Sequence, residues 1–294
     1  MKWKRGSRSR DVIDRRGAPR SSGSFGGFPM IGAGLGIPGL IIFALFMILS
    51  GGNGLPDIGN GLEGLDGGGD PRAQAPLEGP DPDERLVEFM SFVLDDVQNF
   101  WTDTFRQSNK EYRRAKLVLF EGATQSDCGG ATEDIGPHYC PADENVYLDL
   151  DFFRELRNNF GAPGDFAQAY VLAHEIAHHI QNVTGINGDV ARQSRSDPDA
   201  ANELSIRLEL QADCLAGVWA FTAYERSLLE GGDLQEGLDA AAAVGDDRIQ
   251  EKATGRIDKE SWTHGSSEQR VRWFNNGYED GDPNDCNTFA VEDV

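Results

Sequence analysis

The chain has 294 residues, with 27 Lys and Arg against 49 Asp and Glu, for a net charge of −22. That length allows one sizeable domain plus tails. The first 30 residues hold eight basic and two acidic side chains, so the remainder carries −28 and repels phosphate backbones, which excludes nucleic acid as a partner.

Lys2, Lys4, Arg5, Arg8, Arg10, Arg15, Arg16 and Arg20 precede an uncharged stretch over residues 28–49. At about 1.5 Å per residue these 22 residues can cross a hydrocarbon core of about 30 Å. No positive charge follows until Arg72, and this asymmetry sets orientation. Residues 1–27 then read as a basic cytoplasmic arm and residues 28–49 as a transmembrane signal anchor. The apolar run exceeds the usual core of a cleaved signal peptide, and no Ala-x-Ala site follows it. Residues 50–80, rich in Gly, Asp and Pro, cannot build a core and read as a linker. The expected location is the cell membrane, single-pass, with a folded extracytoplasmic domain over 81–294.

Within that domain Leu86, Met90, Val93, Leu94, Val97 and Trp101 recur at helical spacing, which predicts a helix over 82–105. Residues 116–120 and 146–150 read as strands, the second expected to offer an edge to a substrate backbone. Residues 152–159 suggest a short helix. Asp165 as N-cap, with Gln168 at the capping-box position, opens a helix that Gly185 stops. Residues 185–197 are polar and read as a mobile loop. Asp197 and Pro198 start a second long helix, to about Tyr224. An Ala-rich helix near 233–252 follows, and Ser266 with Gln269 caps a last one ending at Gly277. The fold class is α+β, zincin-like, mainly helical with a small sheet.

Cys128, Cys140, Cys214 and Cys286 allow three pairings. The local pair Cys128–Cys140 is preferred, with Cys214–Cys286 tying the C-terminal tail to the second long helix; an oxidising compartment would suit both.

The third helix contains His174-Glu175-Ile176-Ala177-His178. Histidines four apart share one helix face and can reach one metal, while Glu175 points about 100° away and is left free to polarise a water. Zinc hydrolases commonly use three protein ligands. Glu209 and Asp213, another i, i+4 pair, supply the third: Glu209 as ligand with Asp213 bonded to a ligand imidazole, or the reverse, since both share a face. Flanking Leu208, Leu210, Ala212 and Leu215 imply burial, where unpaired carboxylates are costly. His179 points away from His178 and reads as a residue behind the site or on the surface. His138 and Tyr139 read as packing groups.

HEIAHHIQ (174–181) with ELQADCLAGVWA (209–220) resembles the bacterial neutral zinc metallopeptidase family, membrane-anchored and gluzincin-like. The similarity extends over about 83–286 and takes in GPHYCPADENVYLDLDFF (136–153) and THGSSEQRVRWFNNG (263–277). The resemblance implies one Zn2+ per chain on His174, His178 and Glu209, with Glu175 as catalytic acid/base. By analogy with related gluzincins it places His264 and Arg270 near the cleft. Gly265 departs from those relatives, which often carry proline after the histidine. The expected function is a membrane-anchored zinc metallopeptidase acting on a peptide or protein substrate. The alternatives are a catalytically silent zinc-binding scaffold and a cell-wall peptide amidase. Oligomeric state is not legible.

Overall fold

The structure is a computed structural model and describes residues 1–17, 80–132, 136–158 and 162–294. It is mainly helical with small sheets, an α+β architecture. The expected membrane span over 28–49 and nearly all of the 50–80 linker lie outside the described residues. Among the described residues no helix is long and apolar enough to cross a membrane.

Strand β1 (Val12–Asp14) pairs in parallel with β2 (Lys116–Phe120), which pairs in parallel with β6 (Asn145–Asp149); β5 (His138–Cys140) runs antiparallel on β6. The sheet order is β1-β2-β6-β5. A separate hairpin joins β3 (Ala123–Ser126) to β4 (Gly129–Thr132). Side chains alternate along the strands. Leu117, Leu119, Val146 and Leu148 face the helices, while Val118, Phe120 and Tyr147 form a smaller cluster with Ala131 and Cys140.

This arrangement corrects two expectations. The strand expected to offer an edge is interior, because β6 is hydrogen-bonded on both sides, and the edge next to the long helices is β5. The basic arm is also not separate over residues 1–17. Its β1 completes the sheet, with Leu117 N donating to Asp11 O at 2.8 Å and Arg15 N to Leu119 O at 2.8 Å. An alternating β-forming run, Val12-Ile13-Asp14, found a free parallel edge, and cationic neighbours matched the acidic body.

Helix α1 (Glu84–Gln107) buries Met90, Val93, Leu94, Val97 and Trp101, the stripe read from the sequence. After β6, α2 (Leu150–Asn158) leads to α3 (Asp165–Val183). Every residue of α3 from Ala169 to Gln181 is buried, so it is a central helix rather than an amphipathic surface one. Asp165 does not cap it: Gly164 takes that place, and the Asp165 carboxylate accepts from the Met1 α-ammonium at 2.8 Å. The expected loop over 185–197 is α4 (Ile186–Ser196), which buries only Val190. With one apolar anchor it offers no periodicity to read.

A 3-10 turn at Pro198–Ala200 precedes α5 (Ala201–Glu225), also buried along most of its length. The Ala-rich segment is two helices, α6 (Asp233–Ala243) and α7 (Asp246–Thr254). They break at Gly245, where a Cβ would lie 2.3 Å from the Ser267 backbone nitrogen. Helix α8 (Ser267–Asp280) has the expected capping box between Ser266 and Gln269. It runs past Gly277, which is not a stop: a Cβ there would lie 1.9 Å from the Cys214 carbonyl oxygen. Gly217 mirrors it, facing the Phe274 carbonyl at 2.1 Å, so α5 and α8 touch backbone to backbone. The disulfides are Cys128–Cys140 and Cys214–Cys286, as expected.

Candidate metal centre

Helices α3 and α5 bring His174, His178 and Glu209 together, with one donor atom of each lying within 4.8 Å of the others. His174 Nε2 is 3.2 Å from one Glu209 oxygen and His178 Nε2 is 3.5 Å from the other. All three residues are buried. Glu209 lies against both imidazole Nε2 atoms, and Asp213 lies behind His174 on its Nδ1.

Each histidine is oriented by its other nitrogen. His174 Nδ1 donates to Asp213 Oδ1 at 2.9 Å. His178 Nδ1 donates to Gln181 Oε1 at 2.8 Å, and Gln181 Nε2 donates to Leu208 O and to Gln211 Oε1. Both Nε2 atoms are thus turned toward the Glu209 carboxylate, the arrangement by which outer-sphere partners orient imidazoles. Two imidazole nitrogens and a carboxylate are a donor set that zinc takes in hydrolases. The residues fit the metal.

Asp213 is fully buried, and Arg270 on α8 grips it with two bonds: Nε to Oδ2 at 2.7 Å and Nη2 to Oδ1 at 2.9 Å. Tyr170 also donates to Asp213 Oδ1. Burial opposes the charge on Asp213, but Arg270 and His174 outweigh it and hold the carboxyl at about 2. Burial likewise pushes His174 down, yet the Asp213 charge and its hydrogen bond raise the imidazole to about 9. Glu209 is held well below the usual carboxylate range despite burial, by His178, His264 and His174.

Glu175 is buried and makes no side-chain hydrogen bond among the described residues. It lies near enough to His178 and to His138 for its charge to act on both. His138 is half-buried on edge strand β5, stacked on Tyr147 with ring centroids 5.3 Å apart. His264 sits on the opposite flank. Its Nδ1 is 3.2 Å from Asp246 Oδ1, and its charge reaches Glu209. The other Asp246 oxygen accepts three backbone N–H groups, from Thr263 and His264 at 2.7 Å and from Gly265 at 3.1 Å. Gly265 has φ 87°, which proline cannot adopt, and its N–H is one of those three donors.

Tyr170, Gln181 and Asp246 escaped sequence reading. The i, i+4 spacing of Tyr170 from His174 and the i, i+3 spacing of Gln181 from His178 were available signals; Asp246, 18 residues before His264, had none. His179 is wholly buried away from the metal site, its Nε2 donating to Arg113 O at 2.6 Å and its Nδ1 accepting from Tyr139 OH at 3.0 Å. A second acidic group, Asp165, Asp233 and Glu236, is occupied by protein donors: the Met1 ammonium meets the first two, and Phe166 N meets Glu236.

A buried His-His-Glu cluster on two packed helices, with a free glutamate after the first histidine, defines the zinc-peptidase class of site. The chain belongs to the family described as "Putative neutral zinc metallopeptidase", whose profile matches residues 1–289. It is 40% identical over 295 residues to Uncharacterized protein YpfJ of Escherichia coli strain K12, covering 99% of each chain. It is also 46% identical over 194 residues to Uncharacterized protein Mb2605 of Mycobacterium bovis, covering 62% of this chain and 65% of that one. Uncharacterized protein Rv2575 of Mycobacterium tuberculosis strain H37Rv matches to the same extent. No solved structure gives a significant match.

Proposed function

We propose that this chain is a zinc metallopeptidase of zincin-like architecture that hydrolyses peptide bonds in a peptide or protein substrate, with one zinc per chain. The carrying observation is the buried convergence of His174, His178 and Glu209 beside a Glu175 that no described side chain neutralises. A scaffold that only held zinc would have no use for a carboxylate without a side-chain partner at that position.

Zinc in this site would polarise a carbonyl and make an adjacent water acidic near neutral pH. Glu175 takes the proton of the attacking water as general base and returns it to the leaving amine as general acid. His264, aimed by Asp246, donates a hydrogen bond to the oxyanion as the carbonyl carbon becomes tetrahedral. The substrate backbone lies along edge strand β5, the free edge beside α3, where main-chain hydrogen bonds hold it in register. Asp213, Arg270 and Gln181 keep the two imidazoles in place.

The two disulfides support an extracytoplasmic domain. We place it at the cell membrane through the apolar stretch over 28–49.

The test is zinc content and hydrolysis of an unfolded protein substrate by the purified full chain, beside its Glu175→Gln and Glu209→Ala variants. Expected are about one zinc per wild-type chain, zinc retained but turnover lost by a factor of about 10²–10⁴ in Glu175→Gln, and zinc lost in Glu209→Ala. Wild type that holds zinc and cleaves neither protein nor cell-wall peptide would leave the scaffold reading. Release of wall fragments without proteolysis would identify the amidase.

A further inference from the structure

The N-terminal residues are built into the domain at four depths. The Met1 ammonium meets Asp165 at 2.8 Å and Asp233 at 3.1 Å, and Lys2 N donates to Leu228 O at 2.7 Å. Trp3 packs on Phe89 of α1 with ring centroids 5.4 Å apart, and Ser9 bonds Asp95 at 2.8 Å. Asp11, 2% exposed, takes Arg114 at 2.6 Å and Lys116 at 2.5 Å from the edge of β2. Strand β1 then pairs along β2, and Arg16, 5% exposed, bridges Asp14 and Asp81 at 2.7 Å each.

These are not loose surface contacts. Exposed pairs such as Arg8–Glu84 contribute little. A ladder, a buried carboxylate with two cations and a buried arginine with two carboxylates are different, because releasing any one strands desolvated polar groups.

The bridge from Arg16 to Asp81 has a topological consequence. It ties residue 16 to residue 81, on either side of the apolar stretch in the sequence. We propose that residues 1–16 and residues 81–294 lie on the same side of the membrane. The charge asymmetry around residues 28–49 favours the opposite arrangement, with the arm inside and the domain outside. The structure weighs against it because two halves of one sheet cannot sit across a bilayer. Two cations of the arm have a second use here: Arg5 meets Glu88 and Arg8 meets Glu84, both on α1.

The experiment uses the full chain in cells, with a single added cysteine at an exposed position: Lys4→Cys in the arm or Arg256→Cys in the domain. The four native cysteines are paired in the structure, and the chain without an added cysteine, labelled in parallel, sets the background. A membrane-impermeant maleimide is applied to intact cells, or to spheroplasts where there is an outer membrane, and again after permeabilisation. The expected result is that both positions fall in the same class. Both reacting in intact cells supports the proposal and places the domain outside. Both reacting only after permeabilisation supports the proposal and instead removes the extracytoplasmic placement given above, leaving the peptidase chemistry untouched. Arg256→Cys reacting in intact cells while Lys4→Cys reacts only after permeabilisation would overturn it and restore a single crossing.

Discussion

His264 and Asp246 form a buried pair, Nδ1 to Oδ1 at 3.2 Å, in which the same carboxylate also gathers the backbone N–H groups of residues 263–265. One side chain at the start of α7 therefore both shapes the strand of chain before α8 and aims the imidazole toward the metal ligands. Asp246→Asn keeps an acceptor for the backbone and removes the charge behind His264. We expect kcat to fall about 10–100-fold with KM and zinc content unchanged, the usual scale for such outer-sphere partners. Steady-state kinetics on a peptide substrate checks this; a raised KM at constant kcat would make Asp246 a substrate-binding element instead.

Arg270 is the counterion that makes Asp213 tolerable in the core. Arg270→Met leaves a buried carboxylate with one hydroxyl and one imidazole for partners. Breaking such a buried pair costs about 3–5 kcal/mol, so a clear drop in Tm is expected. Zinc affinity, measured by competition with a chromophoric chelator, is expected to weaken about 10–100-fold because His174 loses its fixed orientation. Adding Asp213→Asn to Arg270→Met should recover part of the stability but not the affinity.

Zinc removal exposes a pH dependence. In the metal-free protein His174 is raised to about 9 from an ordinary 6.5. A folded-state value above the unfolded one adds stability that is complete below 6.5 and is lost as pH rises toward 9. Chelator-treated protein is therefore expected to melt at a higher temperature at pH 6 than at pH 9. Protons and zinc compete for His174, so the stabilisation on adding zinc back should grow over the same interval. Asp213 has the opposite sign: held at about 2 against an ordinary 3.8, it withdraws stability only as pH falls through that range. Thermal melts at several pH values, with and without zinc, test both; a flat metal-free profile between pH 6 and 9 would contradict the assigned His174–Asp213 pair.

Gly277→Ala is expected to destabilise although alanine is the better helix former. Its methyl would meet the Cys214 carbonyl at 1.9 Å, and separating α5 from α8 moves Glu209 and Asp213 away from Arg270. A loss of about 1–3 kcal/mol by denaturant unfolding is the expected scale for overpacking. Gly231→Ala, where a Cβ meets nothing within 4 Å, is the matched control and should change little.

Local patterns in the chain carried a good part of this. His174, Glu175 and His178 needed only helical periodicity, and the α8 capping box needed only Ser266 and Gln269 three residues apart. The α1 stripe and the strand at 116–120 were legible because a repeating apolar period survives whatever packs against it. Asp165 was misread because capping is a preference that a better partner, here the Met1 ammonium, can override. Gly277 was misread because a glycine that ends a helix and one that lets two helices touch look alike in one dimension.

By itself the sequence determined that His174 and His178 share one helix face, the acidic balance and the existence of the long helices around 165–184 and 197–224, because each is fixed by composition or by spacing along a single element. Only the tertiary structure decided that Glu209 rather than Asp213 faces both imidazoles, that Asp246 serves His264, and that residues 12–14 are a strand of the domain's sheet. Each of these joins groups far apart in the chain, and what selects the partner is a desolvated charge or an unpaired strand edge that must be satisfied once the core has closed.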